Sequence, residues 1–487
     1  MPKNSWVNTN ENKYQLHVTI PTIDSTIESE NVDKRVVYIG DLEKRKQAYG
    51  ICGECKEPGT GKKWCKTCNA KRIKDNFKNW TSGNKDIDEF IQQSQLNAVH
   101  YTKYLEWIPF EKFQNITYIA EGGFSKIYSA EWPEGYIDHW DIENQKWYRE
   151  QYYSKYALKS LDNSSDICSD FLNEIKSHLQ IYFVDIVQCY GITQDPNNKE
   201  YMMVIYYCND GNLRNYLNKS KNYIKYGSKM FDLQRIARGL LDIHNAEKVH
   251  KDFHSGNILF SSIPYISDLG MCQPANIKQT VKEEGIYGVL PYMAPEVLRG
   301  QQYTKAADIY SFGIIMKEFL SEEIPFNDIP HDEFLAIEIC KGLRPTISKD
   351  MPKLLADLII KCWNAEIKNR PTIKELYQTL KGLYNYNTCE LYFQIKEYDK
   401  ISKEKFENRS NEDKYKRFKT HPQAIYTSRL LNFKNLPKPV DSLDLSSFLF
   451  SSNTSYTAQS TSANPKLNEI CQDDEHNIER SFFLRES

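Results

Sequence analysis

The stretch Val249-His250-Lys251-Asp252-Phe253-His254-Ser255-Gly256-Asn257-Ile258-Leu259 decides how this chain is read. An Asp is followed five residues later by an Asn, behind a His-Lys pair. Eleven residues after Asn257 comes Asp268-Leu269-Gly270. Two carboxylates and an amide can hold a divalent cation through oxygen ligands and still leave one carboxylate to orient a hydroxyl. Asp and Asn are also ordinary loop residues. The weight therefore falls on what stands to either side.

Upstream, the β-prone run Ile116-Thr117-Tyr118-Ile119 leads into Ala120-Glu121-Gly122-Gly123-Phe124-Ser125-Lys126-Ile127. Glycines there let the backbone of a hairpin come close to a ligand. Tyr156-Ala157-Leu158-Lys159 is β-prone and ends in a cation, and Phe171-Leu172-Asn173-Glu174-Ile175 follows on a helical pattern. Tyr201-Met202-Met203-Val204-Ile205 reads as a buried strand, and Ile236, Leu240 and Ile243 recur at helical spacing. Downstream lie Met293-Ala294-Pro295-Glu296, Ala307-Asp308-Ile309 and Lys368-Asn369-Arg370-Pro371.

In this order the segments resemble the eukaryotic protein kinases. The Asp252-to-Asn257 loop is most similar to the tyrosine-kinase-like group, including large fungal families of it. The resemblance runs from about Phe113 to Leu383. It implies an α+β, bilobal protein kinase fold, with a β-rich small lobe and a mainly helical large lobe. It implies ATP and Mg2+ as cofactors. Asp252 would orient the acceptor hydroxyl, while Asn257 and Asp268 would hold magnesium. Lys159 would grip the α- and β-phosphates and pair with Glu174. The nucleotide would lie against Ile119, Ala120, Gly122, Gly123, Phe124, Ser125, Ile127, Ala157, Lys159, Ile205, Tyr207 and Cys208, with Ile205 as gatekeeper and Tyr206 to Cys208 as the hinge. Glu296 should pair with Arg370, and Asp308 should brace the catalytic loop from beneath.

The chain departs from the pattern at several positions. Ala120 and Ser125 replace two glycines of the hairpin, and Leu269 stands where Phe is usual. Lys251 replaces an Arg that forks around an activation-segment phosphate, at Thr280 or Tyr287 here. His254 replaces the Lys of the Ser/Thr-specific loop, and Val289 replaces a Thr. The resemblance implies an ATP-dependent protein kinase in intracellular signalling, acting on Ser or Thr rather than Tyr. Two other classes fit the same residues: a pseudokinase scaffold that binds ATP without efficient transfer, and an adaptor whose N-terminal module binds RNA or a protein.

That module is the second strong signal. Cys52-Gly53-Glu54-Cys55 and Cys65-Lys66-Thr67-Cys68 are separated by nine residues. Two such knuckles can turn four thiolates toward one tetrahedral metal, and zinc is the ion they favour. Structural Zn2+ would then supply most of the folding energy of so small a segment. Seven Lys and Arg between Lys62 and Lys78, interleaved with Trp64, Phe77 and Trp80, make it locally basic; a solvated face is the ordinary reading and nucleic acid the alternative. A helix is expected from Asn84 to Tyr104, ended by Leu105 to Pro109, docking the module on the small lobe with Trp107. Trp140 to Trp147 reads as a hairpin carrying a cross-strand aromatic pair.

The expected organisation is a disordered N-terminus over 1–47, a four-cysteine zinc module over 48–80, a connecting helix over 81–109, a protein kinase domain over 110–385, and a flexible C-terminal tail over 386–487, rich in Ser and Thr between Ser442 and Asn464. A formal net charge of -2 gives no global field for a polyanion. The remaining Cys of the twelve are scattered, no apolar run could span a bilayer, and Met1 to Ser5 lacks a signal peptide's apolar core. A cytoplasmic protein with protein substrates and no membrane contact is expected.

Overall fold

A computed structural model describes residues 6, 18–20, 36–122, 125–151, 155–161, 169–181, 185–220, 223–275, 285–385, 390–408 and 420–441. Strands β1 (Val18–Ile20) and β2 (Val36–Tyr38) pair in parallel ahead of helix α1 (Leu42–Tyr49). Asp41 caps α1 by accepting from Lys44 N–H, and Arg45 on the helix donates to the carbonyls of Ile39, Pro58 and Gly59. The disorder expected through residue 47 does not extend over 36–47. There the chain is built into the cysteine module, because Arg45 finds three backbone acceptors.

Cys65 opens helix α2 (Lys66–Asn76), which carries Cys68. Helix α3 (Lys85–Asn97) begins where the capping signal puts it, with Asn84 Oδ1 accepting from Asp86 and Ile87 N–H. It ends short of the expected Tyr104, since Ala98 turns to an extended conformation and Gln95 Nε2 donates to Leu105 C=O at 2.7 Å. Leu105 to Pro109 is no simple helix stop either. Glu106–Trp107 is strand β3, and it joins the small-lobe sheet.

That sheet continues with β4 (Gln114–Gly122), β5 (Ser125–Glu131), β8 (Lys155–Leu161), β9 (Cys189–Gln194) and β10 (Tyr201–Tyr206), in the order β3-β9-β10-β8-β5-β4. Only β3 with β9 is parallel. A Cβ on Gly191 would stand 2.1 Å from Glu106 C=O, so this parallel edge exists only because that residue is glycine. Between β5 and β8 lies the hairpin of β6 (Tyr136–Asp141) and β7 (Lys146–Glu150), with Trp140 opposite Trp147 and their rings 5.3 Å apart, edge to face. The expected aromatic pair is present, and the hairpin docks the cysteine module. Trp64 is fully buried, its ring lies 5.9 Å from Trp147 and from Tyr104, and its Nε1–H donates to Ala98 C=O. The Arg72 guanidinium stacks over Trp140 at 4.4 Å.

Helix α4 (Ser169–Gln180) packs Phe171 and Ile175 against Ile87 and Ile91 of α3 and Met203 of β10. The large lobe follows: β11 (Gly211–Asn212), α5 (Leu213–Lys219), α6 (Tyr226–Asn245), β12 (Lys248–Val249), β13 (Ile258–Ser261), β14 (Ile263–Ile266), β15 (Gln273–Pro274), β16 (Ile286–Gly288), α7 (Pro295–Leu298), α8 (Lys305–Ser321), α9 (Glu333–Cys340), α10 (Lys353–Cys362), α11 (Ile373–Asn385) and α12 (Glu390–Glu407). Ile236, Leu240 and Ile243 of α6 lie in one buried cluster with Phe312 and Phe319 of α8 and Leu376 and Leu380 of α11.

The flexible tail expected from residue 386 gives way over two stretches. Tyr398 of α12 is buried against Tyr226, and Asp399 accepts from Tyr223 O–H and Tyr226 N–H. Residues 420–441 run along the large lobe and contain β17 (Arg429–Leu431), which pairs antiparallel with β16. The Ser- and Thr-rich stretch lies outside the described residues, as does Thr280.

Glu296 and Arg370 form the expected pair. Both of their oxygen–nitrogen contacts are 2.7 Å and both side chains are buried. Glu296→Ala leaves the guanidinium without its carboxylate and is expected to lower unfolding free energy by about 3–5 kcal/mol. Urea denaturation with an unchanged slope checks it, and a loss below about 1 kcal/mol would contradict it.

Candidate active site

Lys159 projects from the middle of β8, which is flanked by β5 and β10. Its Nζ donates to Glu174 Oε1 of α4 at 2.8 Å and to Asp268 Oδ1 at 3.0 Å. Burial alone would lower the ammonium, yet Asp268 and Glu174 outweigh it and hold it above its usual range. Glu174 is itself buried and reaches Lys159 from the second turn of α4. Three residues far apart in sequence are thereby tied by one cation.

Asp268 sits at φ 57, in the left-handed region that a non-glycine residue seldom adopts. That backbone turns its carboxylate toward Lys159 while Leu269 goes fully into the large-lobe core. Burial would raise the Asp268 carboxyl, but Lys159 overrides it and lowers it.

The loop after β12 is held from beneath by Asp308 at the start of α8, which is fully buried. It accepts from His250 N–H at 2.9 Å, Lys251 N–H at 3.2 Å and His244 Nε2 at 2.9 Å. Lys251 follows at φ 69, and His250 Nε2 reaches Ser267 C=O at 3.1 Å. The loop then delivers Asp252. Asn257 Nδ2 donates to Asp252 C=O at 2.9 Å and to its Oδ2 at 3.3 Å, leaving the amide oxygen as the atom able to bind a cation. Burial pushes the Asp252 carboxyl up, but His254 and a hydroxyl, Ser428, outweigh it and hold it at about 2. Asp252 is therefore an anionic acceptor at neutral pH.

His254 fills the place of the missing Lys in a specific way. Its Nδ1 accepts from Gly256 N–H at 3.1 Å, so the neutral ring carries its proton on Nε2, which lies 3.5 Å from Asp252 Oδ2. The hairpin over the cleft is the β4–β5 pair; Ala120 pairs with Ile127 and Gly122 with Ser125, while Gly123 and Phe124 lie outside the described residues. Ile119 and Ala120 are exposed on β4, and Ala157 is buried on β8 opposite Ile205 of β10. Tyr207 and Cys208 follow β10 as irregular chain, with Cys208 buried.

Sequence reasoning missed three groups. Tyr292 bridges Ser255 Oγ at 2.9 Å, Arg214 Nη2 at 2.8 Å and Glu318 Oε2 at 2.5 Å, locking the catalytic loop to α5 and α8. Lys103 donates to the carbonyls of His178 and Ile181 at the end of α4. Ser428 Oγ donates to Asp252 Oδ1 at 2.5 Å. Tyr292 precedes a motif already singled out, but nothing in its neighbourhood names its partners. Lys103 and Ser428 lie outside the motif-bearing span and carry no local signal.

In the cysteine module the four Sγ atoms of Cys52, Cys55, Cys65 and Cys68 lie within 4.8 Å of one another. Cys52 to Cys68 is 4.0 Å and Cys55 to Cys65 is 3.6 Å. A tetrahedron of thiolates about 2.3 Å from zinc has edges of about 3.8 Å, so the donor set fits that ion.

Residues 113–380 match the family of protein tyrosine and serine/threonine kinases, and the chain belongs to it. It is similar to the RGS domain-containing serine/threonine-protein kinase A of Dictyostelium discoideum, 28% identical over 264 residues that make up 51% of this chain and 23% of the relative. It is also similar to the serine/threonine-protein kinase VIK of Arabidopsis thaliana, 29% identical over 282 residues, 56% of this chain and 60% of the relative. The chain thus spans less than two thirds of either. Among the described residues no helix is long and apolar enough to cross a membrane.

Asp308→Asn keeps the shape but replaces one carboxylate oxygen by an amide donor, set against backbone N–H groups. Loss of about 2–4 kcal/mol of unfolding free energy is expected, because bonds to a charged acceptor are worth about 1.5–3 kcal/mol each. Chemical denaturation measures it, and an unchanged midpoint would remove Asp308 as the brace.

Proposed function

We propose that this chain is an ATP-dependent protein kinase that transfers the γ-phosphate to a Ser or Thr hydroxyl of a protein. The observation that carries the reading is Lys159 held between Glu174 and Asp268, at 2.8 and 3.0 Å. A cation held by two carboxylates at one point of the fold is positioned to meet a polyphosphate. The serine/threonine kinase names of the relatives support the acceptor class, and the Asp252-to-Asn257 loop supports the tyrosine-kinase-like group within the family.

The geometry supports the following roles. Lys159 would hold the α- and β-phosphates. Asn257, through its amide oxygen, and Asp268 offer an oxygen-only donor set suited to magnesium, which when bound supplies charge neutralisation at the phosphates. Asp252, kept anionic, would orient the acceptor hydroxyl and take its proton late. His254 Nε2–H would steady the second oxygen of Asp252, as its position near Oδ2 suggests. Ile119, Ala120, Gly122, Gly123, Phe124, Ser125, Ile127, Ala157, Ile205, Tyr207 and Cys208 would enclose the nucleotide. The pseudokinase reading rests on Ala120 and Ser125 alone, both small, while Lys159, Glu174, Asp252 and Asp268, the charged groups the transfer would use, are all present in the chain.

Asp252→Asn retains the fold of the loop but removes the carboxylate. Transfer to a protein acceptor is expected to fall by at least about 100-fold while nucleotide affinity stays nearly constant. Steady-state assays paired with calorimetric nucleotide titration test this; undiminished turnover would reject the assignment of Asp252.

The N-terminal module is read as a structural zinc site that holds the hairpin β6–β7 and, through α3, the back of α4. Metal analysis is expected to give one zinc per chain. Cys65→Ser should lose the metal and lower Tm by at least about 5 °C, since the ion contributes folding energy directly. A zinc-free protein with the wild-type Tm would overturn it.

A further inference from the structure

The chain's own C-terminal segment reaches Asp252 through Ser428. His421 N–H donates to Asn327 C=O at 2.7 Å, and His331 N–H donates to Gln423 C=O at 2.9 Å. Tyr426 lies under the Arg214 guanidinium, 3.7 Å from the ring centroid, and its hydroxyl donates to Pro325 C=O at 2.8 Å. The segment then becomes β17, whose Arg429, Leu430 and Leu431 face Gly288, Tyr287 and Ile286 of β16 in antiparallel register. Leu431 is buried in the large-lobe core. At Gly285, with φ 114, a Cβ would stand 2.5 Å from Leu431 C=O, so the approach of the two chains depends on glycine there. Beyond the strand, Arg299 Nε bonds Leu436 C=O, and Val440 N–H donates to Cys340 C=O.

What this pairing delivers is a hydroxyl. Ser428, immediately ahead of β17, puts its Oγ 2.5 Å from Asp252 Oδ1, the oxygen that neither Asn257 nor His254 engages. A strap that served only to hold the lobe has no need of an alcohol on that carboxylate. The strand gives register, Leu431 and Tyr426 give anchorage on either side, and the hydroxyl falls where an acceptor has to lie.

We propose that residues 420–441 are a tethered substrate: Ser428 is an acceptor of the chain's own active site, and the segment closes the groove to other acceptors until Ser428 has been phosphorylated. This rests on the kinase reading above. In the step, Ser428 Oγ attacks the γ-phosphorus of ATP and the Oγ–P bond forms. The bond from that phosphorus to the β,γ-bridging oxygen breaks, and ADP leaves with its electron pair. The hydroxyl proton passes to Asp252 Oδ1. Once Asp252, whose carboxyl is held near the bottom of its range, has passed that proton to water, the product's close to two negative charges stand beside an anionic carboxylate, and like-charge repulsion expels the segment.

The test uses the full chain, first freed of phosphate by a phosphatase. It is incubated with magnesium and ATP at a low and a high chain concentration, with casein as an added acceptor. Phosphate on Ser428 is quantified by mass spectrometry alongside the rate of casein labelling. The expected result is Ser428 modification with a rate constant independent of chain concentration, and a lag in casein labelling that prior incubation with ATP removes. A tethered segment has an effective concentration near about 1 mM, so the rate after release should exceed the initial rate by roughly tenfold when the groove binds peptide near about 0.1 mM. Leu431→Asp should abolish both the lag and the Ser428 labelling. Ser428→Ala, which leaves the strand intact and serves equally if Leu431→Asp does not fold, should keep the slow rate indefinitely. Labelled casein with a bare Ser428, a Ser428 rate that climbs with chain concentration, or the absence of any lag would each overturn the proposal and leave the kinase reading standing. No transfer to any residue of either protein would remove the kinase reading itself, and the proposal with it.

Discussion

One ammonium group, buried between two carboxylates from different parts of the chain, is the constraint on which the rest depends. Lys159 on β8 is satisfied by Glu174 from α4 and Asp268 from the turn after β14. Burying that charge without both partners would cost several kcal/mol. The sheet, helix α4 and the catalytic turn must therefore be positioned together. Much of the chain outside the family's span serves the same end. Lys103 holds the last carbonyls of α4, and Ile87 and Ile91 of α3 pack against Phe171 and Ile175 on its inner face. Because α3 follows the cysteine module and Trp64 of that module is clamped by Tyr104 and Trp147, the N-terminal region is mechanically continuous with Glu174.

The large lobe applies the same logic to the acceptor side. Asp308 gathers three donors under the catalytic loop, Tyr292 ties Ser255 to Arg214 and Glu318, and Asp252 stays ionised in a buried place. Arg214 is shared: one side bonds Tyr292 and the other covers Tyr426. The C-terminal segment is thus seated on the very side chains that fix the catalytic loop. Arg214 is thus in direct contact both with the C-terminal segment and with the tyrosine that holds the loop.

The motif-bearing span was legible because each of its signals is local. Lys159 on a strand, Glu174 on the following helix, Asp252 and Asn257 five apart, and Asp308 opening a helix are all readable from short windows, and the structure brings Lys159, Glu174 and Asp268 into contact. The Trp140–Trp147 pair was legible for the same reason: strand alternation puts both rings on one face. What stayed hidden is long-range. Arg45 gave no hint that it would donate to two carbonyls of the cysteine module, Pro58 and Gly59, as well as to Ile39 C=O. Glu106 and Trp107 looked like the end of a helix, since a two-residue strand has too few residues to show alternation, and only Gly191, far along the chain, admits it to the sheet. The segment from His421 to Asp441 is polar and irregular, with register supplied by β16 rather than by its own pattern. A single Ser in such a stretch carries no mark of the carboxylate it reaches.

The central claim is that the cleft between the sheet and the catalytic loop is a nucleotide site with a hydroxyl waiting at Asp252. A crystal structure of the full chain with magnesium and a non-hydrolysable ATP analogue tests this most directly. The account predicts phosphates against Lys159, magnesium on Asp268 and the amide oxygen of Asn257, and Ser428 Oγ lying between Asp252 and the terminal phosphate. An analogue bound away from Lys159, or a cleft still without nucleotide at saturating concentration, would contradict it.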